Sequence, residues 1–306
     1  MKSKMDGNGR RPRTSFGGDQ EEEYMSAITT RPLNPNIGVE VSGLDLSKEI
    51  DSATAKQLYQ LWLDHLVLLF RGQKLTQKDL LRFTKNFGRL GEVARPKAFR
   101  PSGYNDLEEG IMLISNIREN GEPIGALPDG EMHFHHDMLH AAIPHKGTVL
   151  YSVEIPSQGG NTLFANCYTA YEKMPQELRE AAEAKQAFNH FNYGSVKKGD
   201  GKGVAAFAES THPVFRTHDE TKRKSVYVNR LMTEHIVGMP KDQSREVLEK
   251  IFEHSENPEW TYEHVWQPED LLLWDNRCSM HARTDFPAGE RRLMLRTTID
   301  GDARPI

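Results

Sequence analysis

The residues best suited to chemistry lie in one short stretch, Glu-Met-His-Phe-His-His-Asp over residues 131–137. Residues two apart in an extended strand face the same side, so we expect His135 and Asp137 to point together while His136 points away. An imidazole beside a carboxylate forms two thirds of a 2-His-1-carboxylate triad, which suits non-haem Fe(II) and leaves coordination positions open. The third ligand must come from a distant part of the chain, and His281 is the candidate.

A second metal assignment starts from His133, which also shares the strand face of His135. Such a His-x-His pair is typical of cupin-type metal sites and would take its third ligand from a later Glu rather than from His281. One alternative function is therefore a cupin-type metalloenzyme that uses no 2-oxo acid. Another is a non-catalytic protein that binds a small molecule in the same pocket. We favour the triad and expect His133 to play a supporting or structural role.

Short strands and a few helices must position these residues. The stretch Gly38–Leu46 alternates apolar and polar residues, as a half-buried strand does, and Leu66–Phe70 is a continuous apolar run typical of a buried strand. Ser52 is a candidate cap for a first helix, and Thr76-x-x-Asp79 resembles a capping box that opens a second one. Many short strands follow, up to Ile299. This pattern predicts an α+β fold around a barrel or jelly roll.

Composition excludes several classes of protein. The chain has 306 residues and a net charge of -5, which gives no broad basic surface for nucleic acid. No stretch approaches the ~20 apolar residues that span a bilayer, and the N-terminus lacks the apolar core of a signal peptide. The two cysteines, Cys167 and Cys278, predict reduced thiols in a cytoplasmic protein. Residues 1–27 are rich in Gly and charge and predict a disordered arm before one domain over 28–306.

Four motifs occur in an order that identifies a family. They are His135-x-Asp137, Gly159-Gly-Asn-Thr162, Trp274-Asp-Asn-Arg-x-x-x-His281 and Arg291-Arg-Leu-Met-Leu-Arg296. Together they resemble the taurine dioxygenase family, which includes 2,4-dichlorophenoxyacetate dioxygenase and consists of Fe(II)/2-oxoglutarate-dependent oxygenases. The resemblance covers roughly residues 38–300. It implies a double-stranded β-helix, or jelly roll, core with flanking helices.

The resemblance also implies roles for single residues. His135, Asp137 and His281 would bind Fe(II), while Thr162 and Arg292 would hold the distal carboxylate of the co-substrate 2-oxoglutarate. The implied reaction uses O2 to hydroxylate a small organic acid, with oxidative decarboxylation of 2-oxoglutarate to succinate and CO2. Family members commonly form dimers or tetramers, so a homo-oligomer is expected.

The expected primary substrate is an aryloxyalkanoate-like or alkylsulfonate-like acid. Arg292 and Arg296 share one strand face, so both guanidinium groups can line one cavity. Arg95 and Glu131 replace residues that contact the sulfonate side in taurine-specific members, which argues against taurine. If no substrate anion meets Arg296, its counter-ion would be Glu131, Asp275 or Asp285. The predicted substrate-facing residues are Arg95, Glu131, Phe134, Asn229, Met232 and Arg296.

Overall fold

The computed structural model describes residues 28–92, 107–125, 132–190 and 209–306. The predicted arm over residues 1–27, Arg95 and Glu131 lie outside these ranges. Within them the strands, in chain order, are β1 (Thr29–Pro32), β2 (Val39–Ser42), β3 (Val67–Phe70), β4 (Met112–Ser115), β5 (Arg118–Glu119), β6 (Glu122–Pro123), β7 (Met132–His135), β8 (Gly147–Glu154), β9 (Thr162–Asn166), β10 (Gln186–His190), β11 (Glu209–Pro213), β12 (Phe215–Thr217), β13 (Lys224–Val226), β14 (Thr233–Ile236), β15 (Thr261–His264), β16 (Leu271–Asp275), β17 (Ser279–Arg283) and β18 (Leu293–Ile299).

The first three helices follow residues whose side chains accept free backbone N–H groups, whereas α4 and α5 follow Pro175 and Pro240, which make no such bond. They are α1 (Ser52–His65), α2 (Gln77–Lys85), α3 (Cys167–Glu172), α4 (Gln176–Ala182) and α5 (Lys241–Ser255), with a 3₁₀ turn at Pro258–Trp260. The predicted capping box of α2 is confirmed, with reciprocal hydrogen bonds between Thr76 and Asp79. The predicted cap Ser52 is wrong by one residue, because the Asp51 carboxylate accepts the N–H groups that α1 leaves free. No helix in the described ranges is long and apolar enough to cross a membrane.

Two antiparallel sheets dominate the described part of the chain. The larger has seven strands in the order β1-β2-β3-β16-β8-β18-β4, and only its β2–β3 pairing is parallel. The smaller has four strands in the order β15-β9-β17-β7. The fold therefore combines helices with several antiparallel sheets, as the α+β prediction required.

The apolar run of β16 explains how the larger sheet is covered on both faces. Leu271 and Leu273 pack with Leu58 and Trp62 of α1, on the face that α1 and α2 cover. Leu272 and Trp274 point the other way and pack with Phe164 of the smaller sheet, whose ring centroid lies 5.4 Å from that of Trp274. A strand buried on both faces has no polar side, which is why the sequence shows a continuous apolar run.

The outer face of the smaller sheet is covered by the later helices. Ala165 of β9 and Met280 of β17 belong to an apolar cluster with Val247 and Ile251 of α5 and with Ala170 of α3. The layers are therefore helices, larger sheet, smaller sheet and helices. The space between the two sheets is where inward-facing polar residues meet.

Candidate metal centre and active site

The three predicted metal ligands meet at the edge of the smaller sheet. His135 of β7 and His281 of β17 are direct cross-strand partners, with ring centroids 4.1 Å apart. Asp137 follows β7, and its Oδ1 lies 3.9 Å from Nε2 of His135 and 4.0 Å from Nε2 of His281. One ligand atom from each residue lies within 4.8 Å of the other two. Antiparallel pairing thus brings together His135 and His281, which are 146 positions apart (281 − 135) in the sequence numbering.

The charge states of the three side chains suit a divalent cation. Burial lowers the pKa of both imidazoles, so they stay neutral and keep a lone pair for a metal. Nδ1 of His135 lies 2.9 Å from the carbonyl oxygen of His133 and donates to it, which leaves Nε2 as the free donor atom. Burial alone would raise the pKa of Asp137, but the charge of Arg296 and the hydrogen bond from Thr148 outweigh it and hold that pKa below its usual range.

The larger sheet holds the Asp137 carboxylate in place. Thr148 of β8 donates a hydrogen bond from Oγ1 to Oδ2 of Asp137 at 2.7 Å. The amide of Asn276 donates to Oγ1 of Thr148 at 2.9 Å and accepts from Nε1 of Trp274 at 2.9 Å. This relay leaves Oδ1, the oxygen nearest both imidazoles, available as the metal ligand.

Arg296 reaches the same carboxylate from β18. Its Nη1 lies 3.4 Å from Oδ1 of Asp137, and its Nη2 lies 3.4 Å from Sδ of Met112, the residue opposite it on β4. Its Nε is buried and has no hydrogen-bond partner among the described residues. A cation with an unused N–H therefore stands beside the triad.

A second polar pocket surrounds Arg292. This guanidinium is only 1 % exposed, and its Nε and Nη1 have no hydrogen-bond partner in the described structure. Burial, together with the charge of Arg283, lowers the pKa of Arg292 to about 9. Thr162 is also buried, and its hydroxyl accepts a hydrogen bond from Nε1 of Trp266 at 3.0 Å, so its own proton is free to donate.

The glycines of the Gly-Gly-Asn-Thr motif make room for this pocket. Gly160 has φ +65°, and a Cβ there would lie 3.0 Å from Cγ of Pro156 and 3.4 Å from Cδ and Nε of Arg292. Gly159 has φ +69°, and its Cβ would overlap the backbone oxygen of Asp285. Only glycine combines this backbone conformation with so close an approach.

Several predicted residues face away from the metal ligands. Phe134 packs against the apolar cluster on the outer face of the smaller sheet, because it alternates with His135 along β7. His136 faces the same side, where it receives a hydrogen bond from Nδ2 of Asn229 at 3.3 Å. The Asn229 Oδ1 accepts two backbone N–H groups, including that of Met232. The structure therefore does not bring Phe134 or Asn229 to the triad.

The remaining predicted residues divide into three cases. Met232 is buried with Leu139 and Tyr227 in a small apolar cluster. Asp275 cannot be the counter-ion of Arg296, because it pairs with Arg277 at 2.7 Å. Arg95 and Glu131 lie outside the described residues, so their predicted contacts stay predictions.

A second group with metal-ligand atoms close together consists of His218, Asp275 and Cys278. It does not fit a cation, because both oxygens of Asp275 already accept hydrogen bonds from the buried Arg277. Burial also keeps the pKa of the Cys278 thiol well above its usual range, so no thiolate is available. This cluster is a buried ion-pair network that holds the turn between β16 and β17.

His133 is exposed and belongs to neither group of potential ligands found among the described residues. The structure thus favours the triad over the His-x-His pair. Two residues that support the Asp137 carboxylate, Thr148 and Asn276, were not predicted to do so from the sequence. Asn276 carried a signal, since it lies within the motif that ends at His281, whereas Thr148 carried none.

Comparisons with known proteins identify relatives over most of the chain. The family described as "Taurine catabolism dioxygenase TauD, TfdA family" matches residues 29–298. Pentalenolactone F synthase of Streptomyces avermitilis is 34% identical over 297 residues, which cover 90% of this chain and 95% of the relative. The (S)-phenoxypropionate/alpha-ketoglutarate-dioxygenase of Sphingobium herbicidovorans is 30% identical over 287 residues, covering 90% of this chain and 96% of the relative. The crystal structure of AAD-2 in complex with Mn(II) and N-oxalylglycine superimposes with a TM-score of 0.74 at 26% identity, covering 92% of this chain and 100% of that one.

The chain therefore belongs to the TauD/TfdA family of Fe(II)/2-oxoglutarate-dependent dioxygenases. Fe(II), 2-oxoglutarate and O2 are its cofactor and co-substrates, as the resemblance implied. The residues present fit these groups. Two neutral imidazoles and one carboxylate provide a set of ligands for Fe(II), and the buried Arg292, with two unused N–H groups, lacks the anion that a 2-oxo dicarboxylic acid would supply.

Proposed function

We propose that this dioxygenase hydroxylates a small organic acid whose carboxylate or sulfonate meets Arg296. The observation that carries the proposal is the position of that guanidinium, 3.4 Å from the Asp137 carboxylate with its buried Nε unused. When Asp137 binds a divalent cation, less of its negative charge remains for Arg296. The Arg296 side chain is largely shielded from water, with 18 % of it exposed, and a shielded cation with a weakened ion pair favours a second anion at this position.

The proposed substrate class is aryloxyalkanoate-like or alkylsulfonate-like. An acid of either kind joins one anionic head to an apolar body, and Met112, with its sulfur against Arg296, offers an apolar surface beside the head. The (S)-phenoxypropionate dioxygenase named above carries an aryloxyalkanoate in its name, which supports the same class.

Each polar residue then has one task. His135, Asp137 and His281 would hold Fe(II), which with 2-oxoglutarate and O2 supplies the oxidant. Thr148 orients Asp137, and Arg296 orients the substrate anion. Thr162 and Arg292 would hold the distal carboxylate of 2-oxoglutarate, with one hydroxyl donor and a guanidinium fork.

We also propose that residues 28–306 form a single domain whose two main sheets are the halves of a jelly roll. The shared apolar cluster between the sheets supports this interpretation. We further propose that the protein is a homo-oligomer, either a dimer or a tetramer, and that it is cytoplasmic. The two buried cysteines, whose thiol pKa values are raised by burial, are consistent with a reducing compartment.

The experiment for the substrate is a paired comparison of acids and their neutral amides. Aryloxyalkanoic acids and alkylsulfonates are tested for stimulated succinate formation with Fe(II) and ascorbate, in wild type and in Arg296→Ala. We expect the acids to stimulate turnover in wild type and the amides not to. Arg296→Ala should lose this response yet keep the apparent Michaelis constant for 2-oxoglutarate and the succinate formed without substrate.

A matched control is Arg291→Ala, because Arg291 is exposed and pairs with Glu154 on the surface. It should behave as wild type. If the neutral amides stimulated turnover to the same extent as the acids, that result would contradict the anionic-substrate proposal. Absence of succinate formation with every acid would instead support the alternative of a non-catalytic binding protein.

The metal assignment has its own test. We expect anaerobic protein to bind about one Fe(II) per chain through the triad, and His135→Ala, Asp137→Ala or His281→Ala to abolish that binding. His133→Ala serves as the control and should keep the metal. If His133→Ala lost the metal while His281→Ala kept it, the cupin-type assignment would be correct.

A further inference from the structure

The chain turns sharply at the predicted metal ligand Asp137. Residues 137–140 form a turn, and the N–H of Ala141 donates to the carbonyl oxygen of Met138 at 2.8 Å. Met138 has φ +59°, in the left-handed region that is unfavourable for a side chain larger than glycine. Such a conformation persists only where surrounding contacts impose it. The contacts that hold this turn therefore also fix the backbone that carries the Asp137 carboxylate.

Two polar side chains of β11, a strand of the three-stranded sheet β11-β10-β14, bind the turn. Oγ of Ser210 donates to the carbonyl oxygen of Leu139 at 3.1 Å. Nε2 of His212 lies 2.8 Å from the carbonyl oxygen of Ala141 and 2.7 Å from Oγ of Ser210. Because a carbonyl oxygen only accepts, Nε2 carries the proton and donates it. Ser210 and His212 alternate along β11 and share one face, and we call them the β11 clamp.

The surroundings of the clamp favour these hydrogen bonds. His212 is only 2 % exposed, and its ring centroid lies 6.0 Å from that of Tyr227. Tyr227 in turn packs with the fully buried Leu139 of the turn. Burial lowers the pKa of His212, so the ring is neutral and Nε2–H is its one N–H group. An apolar ring in place of this imidazole would leave the Ala141 carbonyl oxygen without that donor.

We propose that Ser210 and His212 are positioning residues for the metal centre, which act through the turn at Asp137 and do not touch the metal. This inference rests on the assignment of Asp137 as a metal ligand under the proposed function. Thr148 of β8 binds the carboxylate itself, whereas the clamp binds the backbone from which the carboxylate projects. Strands of two different sheets thus hold the two ends of this ligand.

The test measures the affinity for a metal and the geometry of the bound ion. His212→Phe keeps an aromatic ring beside Tyr227 and removes the N–H. It should raise the Kd for Mn(II) about tenfold, as for other residues that orient metal ligands. It should also shift the visible absorption bands of Co(II)-loaded protein, which report the arrangement of the ligands. A merely structural role of His212 would lower the free energy of unfolding without shifting these bands.

Two further variants and one control accompany His212→Phe. His212→Gln returns an N–H at the end of a side chain of similar length and should restore both readouts to near the wild-type values. Ser210→Ala removes one hydrogen bond and should have a smaller effect in the same direction. Thr211→Val is the matched control, because Thr211 is exposed and faces away from the clamp on the same strand. It should match wild type.

Urea unfolding curves establish which variants are folded. Wild-type Mn(II) affinity and Co(II) bands in His212→Phe would overturn the role of the clamp, and so would a glutamine variant as impaired as the phenylalanine variant. If His212→Phe does not fold, wild-type readouts in Ser210→Ala overturn it instead. Asp137→Ala separates the two levels of the argument. If it loses Mn(II) while His212→Phe keeps it, only this inference falls, and if Asp137→Ala keeps full affinity, the proposed triad falls as well.

Discussion

Replacing Arg292 by Lys should give co-substrate binding a pH dependence that the wild type lacks. The pocket lowers the pKa of Arg292 from 12.5 to about 9, chiefly through burial and then through the charge of Arg283. A guanidinium with this pKa stays charged throughout the neutral range. An ammonium has an ordinary pKa of about 10.4, and the same environment would bring it near 7.

The sign of the effect follows from linkage. A carboxylate binds only the charged form, so affinity for 2-oxoglutarate in Arg292→Lys is full below the pKa of the empty pocket, near 7, and falls as the pH rises above it. Each pH unit above that pKa costs up to tenfold in affinity. Between pH 6 and pH 8.5 the Kd of the variant should therefore rise by about thirtyfold, relative to wild type.

The assay is calorimetric titration of Mn(II)-loaded protein with 2-oxoglutarate at four values between pH 6 and pH 8.5. The neighbouring Arg291→Lys is the matched control, because Arg291 is exposed and ion-paired with Glu154, and it should follow wild type at every pH. A Kd for Arg292→Lys that stays parallel to wild type across this range would refute the claim that Arg292 is a buried cation waiting for the co-substrate anion.

Three other perturbations probe the same architecture. Thr148→Val removes the hydrogen bond to Asp137 and should weaken Mn(II) binding about tenfold or more; unchanged calorimetric affinity would exclude an orienting role. Gly160→Ala places a Cβ against Arg292 at positive φ, so it should lower the free energy of unfolding in urea by about 1–2 kcal/mol and weaken the binding of 2-oxoglutarate. Wild-type values for both measurements would contradict the close packing of residue 160 against Arg292. The pKa of Asp275 is held below 3.8, chiefly by Arg277 acting against burial, so the contribution of Asp275 to stability is present above pH 4 and is lost as the pH falls. Asp275→Asn should therefore show a smaller decline in the free energy of unfolding in urea between pH 5 and pH 3 than wild type does. An equal decline in both proteins would contradict this contribution.

The convergence of His135, Asp137 and His281 could be predicted from the sequence because strand alternation is a local rule. His135 and Asp137 needed only the period of two, and the order of four motifs selected His281. The same rule, applied to Phe134, would have placed it beside His136 on the outer face, where the structure has it. The prediction that Phe134 faces the substrate did not apply this rule, and the alternation along β7 opposes it.

Other parts of the site depend on pairings that no local pattern reveals. Thr148 contacts Asp137 because β8 of one sheet passes over the end of β7 of the other. The counter-ion of Asp275 is Arg277, only two residues away in the sequence. Spacing alone did not reveal this ion pair, because it forms where both side chains are buried by the fold. The one-residue error at the start of α1 has a simpler origin, since Asp51 and Ser52 are both good caps and only backbone geometry separates them.

The distribution of the metal ligands has a thermodynamic consequence. Both imidazoles come from the smaller sheet, whereas the carboxylate is held by Thr148 and Arg296 of the larger one. A cation bound by the predicted triad would join β7 to β17 of the smaller sheet, while hydrogen bonds from the larger sheet hold the carboxylate, and the unfolded chain has no such preformed set of ligands. Metal supply and resistance to unfolding are consequently coupled, so that each tenfold rise in free metal above its dissociation constant adds about 1.4 kcal/mol to the free energy of unfolding.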